Sequence, residues 1–203
     1  TFKVRHNGID MIFAVPNKIA RFRATTFSTK EPETLEWIDL FSVGAVLWDI
    51  GANVGTYSIY AAKKNHQVVA FEPSAFNLEL LVRNISLNTV SDKVIMLPLP
   101  LNDQRGTSSM QIGDSSWGGA LSCFDKGIGW DGKPIQETYS YRVLGLTIDY
   151  AVKELSLPNP DHIKIDVDGI EHFILKGAFQ TLETVKSVLV EVNDNFQEQS
   201  RQV

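Results

Sequence analysis

Four residues at alternate positions, Asp49, Gly51, Asn53 and Gly55, follow directly on the apolar run Val46-Leu47-Trp48. An acid closing a strand, a glycine turn and an immediate helix aim backbone N–H groups and a helix N-terminus across the strand ends, which suits a nucleoside-like ligand. A second apolar run, Gln67 to Phe71, is followed by Glu72 and Pro73. Placed at the end of the next parallel strand, the Glu72 carboxylate can accept both hydroxyls of a ribose. Pro73, which has no N–H, fixes where that strand stops. The spacing departs from the G-x-G-x-x-G of dinucleotide enzymes, because one residue separates Asn53 from Gly55 and no glycine follows in the helix. A ligand without phosphates and with a charged amino-acid end fits better. Asp49 is expected to meet its ammonium group, and the Gly51 turn to let main chain approach it. S-adenosylmethionine has that shape. Alone, the four residues also suit an ordinary strand-helix turn capped by Asn53.

A third group lies in His162-Ile163-Lys164-Ile165-Asp166-Val167-Asp168-Gly169-Ile170-Glu171, continued by Leu175-Lys176-Gly177. With Asp49-Ile50-Gly51-Ala52-Asn53-Val54-Gly55, and with Asn102-Asp103 and Gly106 between, it resembles the FkbM-type family of S-adenosylmethionine-dependent methyltransferases over roughly residues 45 to 193. The first signature alone would mark only the wider methyltransferase class. The resemblance implies a class I methyltransferase fold, S-adenosylmethionine as cofactor with S-adenosylhomocysteine as product, and O-methylation of a hydroxyl on a small metabolite or glycan. It leaves the acceptor open. Competing readings are a dinucleotide-dependent oxidoreductase and an inactive binding module on the same fold.

Asp166 and Asp168 stand two apart at a strand end and so share one face, with Glu171 on the first turn of the next helix. Three converging carboxylates are costly unless a cation, a base function or hydrogen bonds compensate. Carboxylates aimed at the sulfonium would stabilise the ground state more than the transition state, so orienting the acceptor hydroxyl and taking up its proton are the more useful roles. Asp166 is expected nearest the methyl group, and Glu171 as the acceptor's hydrogen-bond partner or base. A variant places Mg²⁺ or Ca²⁺ among the three. Lys164 is either their buried counter-charge or an exposed lysine. Asn102 lies where this class of fold meets the adenine, and its amide can pair with a ring edge, unless it only shapes a turn. His172 reads as a partly exposed helix histidine. His6, His66 and His162 give no metal spacing, and Cys123 has no companion histidine for thiol catalysis.

At 203 residues and 43% hydrophobic, the chain suits one α/β domain. A net charge of −5 without a Lys/Arg block argues against a phosphate-binding nucleic-acid surface. One cysteine excludes an internal disulfide, and no apolar run nears the ~20 residues of a membrane helix, so a cytoplasmic protein is expected. Thr1 in place of Met is expected to mark a start inside a longer chain or after a trimmed tag.

The elements that must position these residues follow from pattern. Asn7-Gly8 between extended runs predicts a type I′ hairpin over residues 2 to 15. Pro32 and flanking acids open a short helix before the first strand. Gly55 to Lys64 is a crossover helix, and Leu78, Leu81, Val82 and Ile85 a second, capped by Ser74. Lys93 to Leu101 is a third strand. Strands at 107–112 and 139–144 enclose a long glycine- and aromatic-bearing loop about 113–138, with Trp117, Phe124 and Trp130. Then come a helix from Thr147, a strand from Ile163 to Val167, a helix from Ile170 to Leu182 and a strand from Val188 to Val192. Alternating signals imply a mostly parallel twisted sheet with right-handed crossovers. The class I sheet has two further strands, and only about ten polar residues follow Asn193.

Overall fold

The computed structural model describes residues 1–203. In chain order its elements are β1 (Phe2–His6), β2 (Ile9–Phe13), α1 (Lys18–Thr25), α2 (Pro32–Asp39), β3 (Val46–Ile50), α3 (Thr56–Lys63), β4 (Gln67–Phe71), α4 (Ala75–Leu87) and β5 (Val94–Leu97). They continue as β6 (Gly106–Ile112), β7 (Ser122–Phe124), β8 (Tyr139–Gly145), α5 (Ile148–Glu154), β9 (His162–Ile165), α6 (Glu171–Lys176), β10 (Ser187–Val190) and α7 (Gln197–Gln202).

Five strands form a wholly parallel sheet in the order β10-β9-β3-β4-β5. The order reverses between β3 and β9, and such a switch point opens a crevice beyond the carboxyl ends of the strands. Alternation along β4 divides the core. Val68 and Ala70 join one cluster with Leu47, Tyr60, Leu81 and the hairpin's Met11 and Phe13, while Val69 and Phe71 join another with Trp48, Ile163, Ile165 and Ile174. Helices and hairpin therefore cover one face. On the other lie α5, α6 and a separate three-stranded antiparallel sheet, β7-β6-β8, which contributes Met110, Ile112 and Phe124.

The hairpin turns through Asn7 (φ +44°) and Gly8 (φ +80°), the two left-handed residues a type I′ turn demands. Several expectations change. The third strand stops at Leu97, since Pro98 and Pro100 carry no N–H for the ladder. β9 stops at Ile165, so Asp166 to Gly169 form a turn, with Asp168 (φ +64°) and Gly169 (φ +128°) left-handed. The helix from Ile170 ends at Lys176, because Gly177 packs against the Asn102 carbonyl so tightly that a Cβ would lie 2.3 Å from its oxygen. The long loop contains β7, and α1 and α7 were not expected. No helix is long and apolar enough to cross a membrane.

Candidate functional site

After β3 the chain turns through Gly51 (φ +83°), Asn53 (φ +52°) and Gly55 (φ +83°) before α3. The Gly51 and Ala52 N–H groups both donate to Phe71 O on β4, at 3.0 Å each. Gly51 is required by its neighbour: a Cβ there would lie 1.8 Å from the Asp166 carbonyl oxygen. The close main-chain approach at Gly51 thus joins β3 to the end of β9. Gly55, not Asn53, is the N-cap of α3, and its missing side chain admits Leu81, 2.4 Å from where a Cβ would stand. Asn53 Nδ2 donates to Gly119 O at 2.8 Å, and its Oδ1 is buried without a partner.

Glu72 closes this turn from β4. Its Oε2 accepts from Asn53 N–H at 2.7 Å and its Oε1 from Ser74 N–H at 2.8 Å. Burial raises the carboxyl to about 7, against the lowering effect of those N–H donors. Asp49 lies elsewhere. Alternation puts it on the face of Leu47, where Oδ2 accepts from Ser58 Oγ of α3 at 2.5 Å and Oδ1 has no partner. Burial raises its pKa. It borders none of the hollows around the turn, which takes it away from the ammonium-binding position expected for it.

Three hollows meet at Gly51. One of about 30 Å³ is apolar, lined by Phe71, Pro73, Leu101 and Phe124 among others. The next, about 60 Å³, is bordered by Glu72, Asn53, Asn77, Asp166 and Asp168. The third, about 40 Å³, is bordered by Asn53, Lys164 and Asp166 together with Arg23, Lys30 and Glu31 of the N-terminal region. Asn102 is buried behind the apolar hollow and does not border it; its Nδ2 donates to Asp125 Oδ2 at 3.3 Å while Leu101 forms the wall.

At the end of β9, Lys164 is 2% exposed and donates to Asp166 Oδ2 at 2.8 Å, so it is the buried counter-charge. Burial pulls Lys164 down, but the charges of Asp166 and Asp49 raise it above the ordinary lysine value. Burial pushes Asp166 up, yet the Lys164 charge and hydrogen bonds from Glu191 and Lys164 hold it well below the carboxylate range. Its neighbour Glu191, just past β10, is raised to about 8, first by a hydrogen bond to Asp166 and then by burial. Asp168 turns the other way, accepting from Leu121 N–H at 2.7 Å. Glu171 is engaged by its own loop: Oε1 accepts from Val167 N–H at 2.9 Å, both oxygens accept from Gly169 N–H, and Gln199 donates to Oε2. These bonds fasten the turn, and Glu171, expected as the acceptor's hydrogen-bond partner or base, also lines a hollow over the ends of β9 and β10. No group of three His, Cys, Asp or Glu side chains is placed to hold a metal ion. His172, expected partly exposed, is wholly buried against Phe173 and Phe196.

Two participants escaped the sequence reading. Glu191 falls inside the strand expected from Val188 to Val192, with no role assigned to it. Asn77 holds the loop after β6 down on the crevice, accepting from Gly118 N–H at 3.0 Å and donating to Gly119 O at 3.1 Å, while Arg23 Nε donates to Gly118 O. A signal existed: Asn77, Asn84 and Asn88 fall on one face of α4, and the latter two bond Ala14 and Ile12 of the hairpin region.

The sheet order, the crevice at its switch point and the Glu72–Asn53 closure define a class I methyltransferase fold. A precorrin-6y C5,15-methyltransferase from Geobacter metallireducens has the same fold, with a TM-score of 0.51 at 16% identity, covering 94% of this chain and 74% of that one. Residues 49–202 match the methyltransferase FkbM domain, and the chain belongs to that family. It is 30% identical over 149 residues to the hexuronic acid methyltransferase AglP of Haloferax volcanii, covering 73% of this chain and 56% of that protein. It is 29% identical over 169 residues to the methyltransferase sdnD of Sordaria araneosa, covering 70% of this chain and 64% of that protein. The chain thus spans less than two thirds of either relative.

Proposed function

We propose that the chain binds S-adenosylmethionine and methylates a hydroxyl of a glycan or small metabolite, with residues 1–203 acting as one domain in the cytoplasm. The observation that carries this is the Glu72 carboxylate standing 2.7 Å from Asn53 N–H, so that the acid ending β4 faces the turn ending β3. Glu72 is the ribose partner. The apolar hollow of Phe71, Pro73, Leu101 and Phe124 takes the adenine, and Asn53, whose buried Oδ1 lacks a partner, receives a donor at the amino-acid end. Arg23 and Lys30 match that end's carboxylate, and Asp166 and Glu31 its ammonium. Asp49 and Gly51 support this cradle from behind, Gly55 seats α3 against α4, and Asn102 backs the adenine wall.

Together the three hollows are smaller than an adenosyl group, and Gly119 and Ala120 wall the one beside Glu72. Lifting that loop from Asn53 and Asn77 admits the ligand.

The bound cofactor supplies an electrophilic methyl carbon on a cationic sulfur. The protein's part is placement and proton handling. Asp166 stands at the junction of the hollows and, with Glu191, forms a carboxyl pair able to receive the acceptor's proton once Glu191 has released its own. Glu171 positions the turn that carries Asp166 and Asp168. Isothermal titration with S-adenosylhomocysteine tests the reading. Binding that Glu72→Ala weakens at least about tenfold supports it, and unchanged affinity in that variant removes the site assignment.

A further inference from the structure

A hollow of about 480 Å³ lies beyond the cofactor crevice, over the ends of β9 and β10. Small-molecule sites are typically about 300–1,000 Å³. Asp168 belongs to the walls of both this hollow and the one beside Glu72, so the two adjoin. Only three of its eleven lining residues are hydrophobic, which is unusual for a pocket of this size. Four of the others are acids, Asp168, Glu171, Glu191 and Asp194, and none is Lys, Arg or His. Lys164, at the end of β9, is buried and committed to Asp166.

One aromatic face completes the hollow. Trp130 lines it and is 52% exposed, whereas its backbone is fixed. Asn193 Nδ2 donates to Trp130 O at 3.0 Å, and Gly169 packs so closely that a Cβ there would lie 2.5 Å from Gly129 O and 3.1 Å from Trp130 N. An indole held at its backbone and bare on its ring offers a flat surface whose negative face attracts C–H edges and cations. Carboxylates and the Asn195 amide around it supply acceptors and donors for hydroxyls.

We propose that this hollow is the acceptor site and that it takes a neutral or amine-bearing sugar and rejects a uronate. The proposal rests on the methyltransferase reading. A pyranose lays its apolar face on Trp130 and turns its hydroxyls to the carboxylates. An ammonium substituent gains from the acids, whereas a sugar carboxylate meets four carboxyl groups in a wall without Lys, Arg or His, an arrangement that costs affinity. This separates the chain from its relative named for a hexuronic acid.

Methyl transfer is measured with labelled S-adenosylmethionine on matched methyl glycosides of neutral, amino and uronic pyranoses in the gluco, galacto and manno series. The expected result is a kcat/KM for the best neutral or amino sugar at least about tenfold above the best uronide. Asp194→Lys and the milder Asp194→Asn, both at an exposed loop position, should narrow that gap, the lysine by at least about threefold, with S-adenosylhomocysteine affinity unchanged. Equal or faster transfer to uronides overturns the proposal. So does transfer to no sugar by protein that binds S-adenosylhomocysteine, and so does a gap that neither variant moves. Absence of S-adenosylhomocysteine binding is a different failure, that of the methyltransferase reading, and the proposal falls with it.

Discussion

Glu72 and Glu171 are both buried acids that accept from two backbone N–H groups, yet they do opposite work. The N–H groups on Glu72 come from Asn53 and Ser74, nineteen residues of chain apart on one side and two on the other, so the carboxylate spans the ends of two strands and borders a hollow. Those on Glu171 come from Val167 and Gly169, within its own turn, and Gln199 closes over its Oε2. One carboxylate joins the ends of two strands and the other fastens a loop, and each borders a hollow. What separates two buried acids on main-chain donors is whether those donors belong to one segment or to two.

Substitutions can break that contrast. The largest effect is expected beneath both acids, at Gly51→Ala, where the new Cβ would collide with Asp166 O in a left-handed turn. Stability should fall by about 3 kcal/mol or more, read from the denaturant midpoint. Glu171→Gln follows. It leaves one acceptor oxygen where Val167, Gly169 and Gln199 now use two, and should cost about 2 kcal/mol of stability. Glu72→Gln should leave stability within about 1 kcal/mol, because its carboxyl, raised to about 7, already accommodates the neutral form, while S-adenosylhomocysteine affinity drops at least about tenfold. Similar stability losses in the two glutamine variants would erase the distinction.

Titration sharpens it. An acid whose folded pKa is raised binds more protons when native, so stability is greatest below the unfolded value of 4.5 and declines as pH climbs to about 7 for Glu72 and about 8 for Glu191. Melting temperature should fall across that window, and Glu72→Gln should flatten its lower part. In catalysis the sign is reversed: kcat/KM should rise through about pH 8 as the Asp166–Glu191 pair gives up its proton, and Glu191→Gln should abolish the rise. The smallest effect belongs to Asn77→Ala, which removes two bonds to the covering loop and should quicken S-adenosylhomocysteine release severalfold in stopped flow, at about 1 kcal/mol of stability.

Much of this frame is legible in the chain. Parallel strands buried on both faces leave long apolar runs, and the acids and glycines that end them stand out, so β3, β4, β9 and the Asn7-Gly8 hairpin can be read directly. Alternation along β3 also carried the answer for Asp49, which shares a face with Leu47 under α3. The antiparallel sheet was half visible: β7 is three residues long, too short for any period to register. Asn102 and Glu171 could not be resolved from type and spacing, since each depends on a partner far along the chain, Asp125 and Gln199. The pairing of Asp166 with Glu191 is likewise a product of strand order, which places β10 beside β9.

The amides of Asn53 and Asn77 donate to the same oxygen, the Gly119 carbonyl. The clasp is made by the peptide unit itself, at a position with no room for a side chain: a Cβ on Gly119 would lie 2.6 Å from Asp114 O and 2.8 Å from Ser116 O. Exchange of ligand can then be retuned in descendants of this sequence through the two asparagines, and through Arg23 on the neighbouring Gly118 carbonyl, which makes those positions the place where divergence in turnover speed would be written.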